Sequence, residues 1–123
     1  MGITRLNVEI ANVAVPEKTR TLEFIIDSGA LYSLVPATVL EDLQIQPITE
    51  QRFTLADGSV IRRRKGGAVF RYNESVGIAD VIFGEPGDQN LLGVVTLESL
   101  GLALDPIKRE LHPIPLILGT TVS

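Results

Sequence analysis

Leu6, Val8 and Ile10 alternate with Asn7, Glu9 and Ala11, a period of two that predicts a half-buried strand running to about Val15. Pro16-Glu17-Lys18 reads as a turn. The next strand, 21–26, begins as an alternation through Leu22 and Phe24 and ends in the continuous run Phe24-Ile25-Ile26. A continuous apolar run predicts burial on both faces. Asp27-Ser28-Gly29-Ala30 follows at once, with Gly29 marking a tight turn. Beyond Pro36, which suits a first helical turn, Val39, Leu40 and Leu43 fall at helical spacing. The stretch 44–51 reads as a connector.

Phe53-Thr54-Leu55-Ala56 and Val60-Ile61 flank Asp57-Gly58, a hairpin-turn pair. Gly66-Gly67 is expected to break the following strand, which resumes at Ala68-Val69-Phe70. Residues 76–83 are rich in strand formers, Glu85-Pro86-Gly87-Asp88 is a loop, and Leu91-Leu92-Gly93 is a short buried segment. Thr96 is expected to cap a second short helix, 97–100, closed by Gly101. Strands at 102–104 and from 110 onward finish the chain. Seven or eight short strands with two short helices predict a mainly β domain, closed or nearly closed into a barrel. At 123 residues, one domain spanning 1–123 is expected.

Composition then narrows the chemistry. Fifteen Asp and Glu against 11 Lys and Arg leave a formal charge of −4, which argues against a general nucleic-acid or anionic-membrane binder. There is no cysteine, so disulfides, thiolate metal sites and cysteine nucleophiles are excluded. His112 is the single histidine, which excludes multi-histidine metal cages, and it reads as a surface residue. The acids lack a loop with ligand spacing, so no metal and no cofactor are expected. The N-terminal residues show no signal layout. The longest uncharged stretch, 111–123, holds Pro113 and Pro115 and is shorter than the roughly 20 apolar residues of a spanning helix. A soluble, cytoplasmic protein is the expectation.

Asp27 is the most informative residue. A carboxylate directly after Phe24-Ile25-Ile26 is costly in a core without donors. It is explicable where backbone amides and the Ser28 hydroxyl hold it at a solvent-reachable cleft, and Gly29 lets the backbone come close. Asp-Ser-Gly is also ordinary turn chemistry. Its place after three apolar positions and before Leu34-Val35 favours the site reading.

The segment Phe24-Ile25-Ile26-Asp27-Ser28-Gly29-Ala30, followed by Ser33-Leu34-Val35, resembles the active-site segment of the retropepsin-like aspartic proteases. Asn90-Leu91-Leu92-Gly93, then Leu97 and Leu100-Gly101, is similar to that family's second motif and short helix. Residues 53–61 occupy the place of its flap hairpin. The resemblance implies a closed β-barrel-like lobe in which Asp27 is the catalytic carboxylate, supported by Ser28 and Gly29. Ala30, Asp57, Gly58, Ser59 and Leu91 would contact a peptide or protein substrate bound in extended conformation. It also implies a homodimer. Two carboxylates are needed, one to activate water and one to protonate the substrate oxygen, and the chain holds one Asp-Ser/Thr-Gly. The second Asp27 must come from a two-fold-related copy.

In the viral members the motif's alanine is followed by an aspartate and the downstream glycine by an arginine, and the two pair. Leu31 and Val94 stand at those places here, so the resemblance is to the small cellular and prokaryotic relatives. The same departures motivate a second reading, a catalytically inactive dimerisation or peptide-binding module of this fold. A monomeric β-barrel around a small ligand is a third. Arg62-Arg63-Arg64-Lys65 reads as a solvated, edge-protecting strand in preference to a cuff for acidic substrates. Asp57, Asp80 and Asp88 read as turn or surface acids. Asp80 between Ile78 and Ile82 requires either a bulge or an outward polar face. The apolar tail with Leu116-Ile117-Leu118 is expected to pack on a partner subunit or on its own barrel.

Overall fold

The computed structural model describes residues 4–115. In chain order its elements are β1 (Arg5–Ala11), β2 (Thr19–Ile26), β3 (Ser33–Pro36), α1 (Ala37–Asp42), β4 (Thr49–Thr54), β5 (Val60–Tyr72), β6 (Ser75–Gly84), β7 (Leu91–Leu92), α2 (Val94–Ser99), β8 (Leu102–Asp105) and β9 (Glu110–Pro113). Seven strands make one sheet in the order β1-β2-β7-β3-β6-β5-β4, and β1 pairs again with β5, placing Ile10 opposite Phe70. That second pairing closes the sheet into a ring. The ring is mixed: β2 runs parallel to β7 and β3 parallel to β6, whereas β1–β2, β4–β5 and β5–β6 are antiparallel. β8 and β9 form a separate hairpin.

The period-two patterns fill the ring from inside. Val8 and Ile10, Phe24 and Ile26, Val35, Phe70, Val81 and Phe83, and Leu92 form one buried cluster, which Leu40 of α1 and Leu97 of α2 join. Burying each of the three phenylalanine side chains (Phe24, Phe70, Phe83) contributes roughly 1.5–3 kcal/mol. Among the described residues no helix is long and apolar enough to cross a membrane.

Several expectations change. The first strand stops at Ala11, not near Val15. Asn12 ends it: its Oδ1 accepts the N–H groups of Ala14 and Val15 at 2.7 and 3.2 Å. Its Nδ2 donates to the Leu43 and Gln44 carbonyls at 2.8 and 3.0 Å. β2 is not buried on both faces, because Ile25 is half-buried between buried Phe24 and Ile26. A ring one sheet thick gives each strand a single core face. The connector is shorter than 44–51, since Thr49 already pairs with Lys65. Thr96 is not a cap. Gly93 occupies that place ahead of α2, and Thr96 is buried inside the first turn. Gly101 closes the helix at φ +74°, as expected.

The basic run lies in β5 between β4 and β6, so it is not at a sheet edge. Arg62 and Arg64 are exposed, 3.8 Å from Glu50 and 3.6 Å from Glu41. Arg63 and Lys65 share the opposite face and are largely covered. Asp80 needs no bulge. It pairs with Gly67 in an unbroken β5–β6 register, faces outward with exposed Ile78, and lies 3.0 Å from the Lys65 ammonium. His112 is exposed on β9, near Asp105 and Glu110. Leu116-Ile117-Leu118 lies outside the described residues.

Gly66-Gly67 does not break β5, which runs unbroken from Val60 to Tyr72. A Cβ at Gly66 would lie 2.8 Å from the Gln46 carbonyl oxygen, so glycine is there to admit a close backbone approach. Gly66→Ala should therefore destabilise the domain by roughly 1–3 kcal/mol in urea unfolding. A strand weakened only by glycine entropy would instead gain stability from the alanine.

Candidate functional site

Asp27 stands where β2 leaves the ring. Its N–H donates to the Leu92 carbonyl at 3.2 Å and its own carbonyl accepts the Ala30 N–H at 3.1 Å. Its Oδ1 accepts the Gly29 N–H at 2.9 Å. A Cβ on Gly29 would sit 3.2 Å from that oxygen, so a side chain there would crowd the carboxylate. Asp27 is half-buried, and Ser28 and Gly29 are exposed. The carboxylate is thus held by one turn amide and open to water; the expected bond from the Ser28 hydroxyl is absent among the described residues.

The loop after Asp27 is stitched to the segment that begins at β7. Leu91 lies beside both Ile25 and Leu34, between β2 and β3. The Val94 and Val95 N–H groups donate to the Ala30 and Leu31 carbonyls at 2.9 and 3.0 Å. Gly93 is required by contact, since a Cβ there would lie 2.5 Å from the Tyr32 carbonyl carbon. Its N–H donates to the Ser33 hydroxyl at 2.9 Å, and that hydroxyl bonds the Thr96 hydroxyl at 2.5 Å.

Next to this loop opens a cleft of about 600 Å³ with a mostly apolar lining. Gly29, Ala30, Leu31 and Tyr32 form one side, continued by Leu34, Ile82 and Leu91. The β4–β5 hairpin forms the other through Gln51 and Phe53, which pair with Arg63 and Ile61. Two groups fix the walls. The Lys65 ammonium lies over the Tyr32 ring at 4.8 Å, and its bond to the Asp80 carboxylate holds its pKa above the ordinary lysine value. Arg63 lies 3.6 Å from Glu85 and 3.7 Å from Asp88. Asp88 in turn accepts the Glu85 N–H at 2.8 Å. Ser28 lines a smaller apolar recess of about 190 Å³ with Val94 and Leu97.

Of the residues singled out from sequence, Asp27, Ser28, Gly29 and Ala30 form one continuous loop. Leu91 joins it, and Gly29, Ala30 and Leu91 line the large cleft. Asp57, Gly58 and Ser59 sit at the exposed hairpin tip and do not line it. On the hairpin side, the walls missed from sequence are Phe53, Ile61, Gln51 and Arg63. Their signal was available as the half-buried face of two alternating strands, once the five residues 55–59 are read as the connection.

The hairpin tip is ordered by Asp57. Its Oδ1 accepts the Ser59 N–H and hydroxyl at 2.9 and 2.6 Å, and Gly58 takes φ +86°. The Ser59 hydroxyl and then the Ser59 N–H lower the Asp57 pKa below the ordinary aspartate value.

A family model described as Aspartyl protease matches residues 7–96. No curated protein matches the chain. Among solved structures the chain is similar to the protease of simian foamy virus (mac), determined in solution. The two are 24% identical with a TM-score of 0.54, over 77% of this chain and 92% of that one. This likeness shows the fold: a mainly β, retropepsin-like ring with two short helices.

Because the Asp57 pKa is depressed on folding, its bonds persist above the ordinary aspartate value and are lost only as pH falls through the lower folded value. In an NMR titration the Asp57 carboxyl should titrate below the ordinary aspartate range, and Ser59→Ala should raise its midpoint. An unchanged midpoint in the variant would remove the Ser59 hydroxyl as the leading cause.

Proposed function

The chain belongs to the aspartyl protease family, and on that premise we propose that it is an aspartic endopeptidase working as a homodimer. Two Asp27 carboxylates, one from each copy, bracket a single water. Two carboxylates this close cannot both ionise, so they share one proton. The ionised member takes a proton from water as the water attacks the peptide carbonyl carbon. The protonated member gives its proton to the carbonyl oxygen. The carboxyl that took the water's proton then passes it to the amine nitrogen, the other carboxylate takes back a proton from the tetrahedral diol, and the C–N bond breaks to give acid and amine with no covalent enzyme intermediate.

Each copy supplies the supporting parts. The Gly29 N–H fixes one Asp27 oxygen, and Ser28 stands exposed beside it. Ala30 leaves room for an extended peptide, which fits a cleft lined by strands. The tips carrying Asp57, Gly58 and Ser59 close over it and exclude water. The observation that carries this reading is the Asp27 carboxylate, held by a glycine amide and open to solvent, in a loop whose next residues line an apolar cleft of about 600 Å³.

The test compares wild type and Asp27→Asn on a mixed peptide library across about pH 3 to 8, with oligomeric state followed by sedimentation. The wild type should sediment as a dimer and cleave, and the variant should lose about 10²–10⁴-fold in kcat. Equal cleavage by both rejects Asp27 as the catalytic group. A wild-type dimer that binds extended peptides and cuts none supports instead a non-catalytic peptide-binding module, the reading that Leu31 and Val94 favour.

A further inference from the structure

We infer that Ser33 and Thr96 are positioning residues for Asp27, acting through the peptide group that joins Leu92 to Gly93. The inference rests on the protease reading above for its kinetic consequence, but its geometry stands apart from it. A peptide group is planar and rigid, so its carbonyl and its N–H turn together. The carbonyl end of this group, Leu92 O, accepts the Asp27 N–H. The N–H end, on Gly93, donates to the Ser33 hydroxyl at 2.9 Å. Whatever fixes the orientation of one end fixes the other.

Ser33 is fixed in turn. Its hydroxyl shares a hydrogen bond with Thr96, and both residues are fully buried. In that setting neither hydroxyl has water as an alternative partner, so the serine rotamer is locked by its two bonds. The remaining bonds between the Asp27 loop and the 92–95 segment join backbone to backbone, and many side chains would permit them. The Ser33–Thr96 pair is the part of the seam that depends on side-chain chemistry. Thr96 belongs to α2 and Ser33 opens β3, so the pair ties the helix and the strand to the one peptide group that carries Asp27.

The expected result is kinetic. Ser33→Ala leaves the Gly93 N–H and the Thr96 hydroxyl unpartnered, and the Leu92 carbonyl can then tilt. With a peptide that the wild type cuts, kcat per folded dimer should fall about tenfold to a hundredfold, with KM little changed. Thr96→Ser, made in the wild-type chain, keeps the hydroxyl and should retain near wild-type kcat. Hydrogen exchange at the Asp27 amide should quicken in Ser33→Ala relative to core amides such as Phe70. Wild-type kcat per folded dimer and an unchanged Asp27-to-Phe70 exchange ratio in Ser33→Ala would overturn the inference. So would an equal kcat loss in Thr96→Ser, which would point to packing. Should Ser33→Ala fail to fold, Thr96→Val, equal in shape but lacking the hydroxyl, is judged by the same two readouts. If the wild type cuts no peptide, the protease reading fails, and the exchange ratio alone decides the positioning role.

Discussion

One backbone hydrogen bond, from the Asp27 N–H to the Leu92 carbonyl, decides where the acidic loop can stand. β2 and β7 run parallel for two residue pairs and end there, and the chain must then turn away without sheet partners. A charged side chain cannot be drawn into the core at that point without a large cost. The loop is therefore kept outside, and its backbone groups find their partners in the segment running into α2. Gly93 makes this possible, because the two segments approach more closely than a Cβ allows. The carboxylate makes one bond within the loop, to the Gly29 N–H, and the loop's ties to the 92–95 segment are made by its backbone. The acid is carried by a loop that is already held.

The closed ring explains the rest of the layout. Because β1 pairs with both β2 and β5, the sheet curls on itself and its inner face becomes the core. Its outer face is then available for other uses. On one part of that face Glu9 and Arg71 pair across β1 and β5 at 2.8 Å. On another, Leu34, Ile82 and Leu91 become the wall of a cleft. The apolar residues of the outer face are thus not misplaced core. They are the surface that the β4–β5 hairpin stands over.

The sequence displayed the ring more clearly than its details. Alternation placed β1, helical spacing placed α1 and Asp57-Gly58 marked the β4–β5 hairpin, and Asp27-Ser28-Gly29 with Leu91-Leu92-Gly93 marked the two segments that meet. Where local reading went astray, a distant partner was the cause. Asn12 ends β1 by bonding carbonyls at Leu43 and Gln44, some thirty residues on. Gly66 looked like a strand breaker, yet it answers to the Gln46 carbonyl. Thr96 had the chemistry of a cap and is used instead as a partner for Ser33. The run Phe24-Ile25-Ile26 suggested two buried faces because an apolar run does not reveal that Ile25 is only half-buried on the outer face. None of these long-range partners leaves a mark within the local window that pattern reading uses.

The ring is closed by residues far apart along the chain: Ala11 sits opposite Val69, and Ile26 beside Leu92. Such pairings form slowly, since long loops must be ordered before any contact rewards them. During synthesis Asp27 emerges ahead of Leu92, whose carbonyl fixes it, and ahead of Thr96, whose hydroxyl stands behind that carbonyl. A partly made chain accordingly carries the acid without its mount. The loop takes its final place only once residues 92–96 have been made and have folded back onto it.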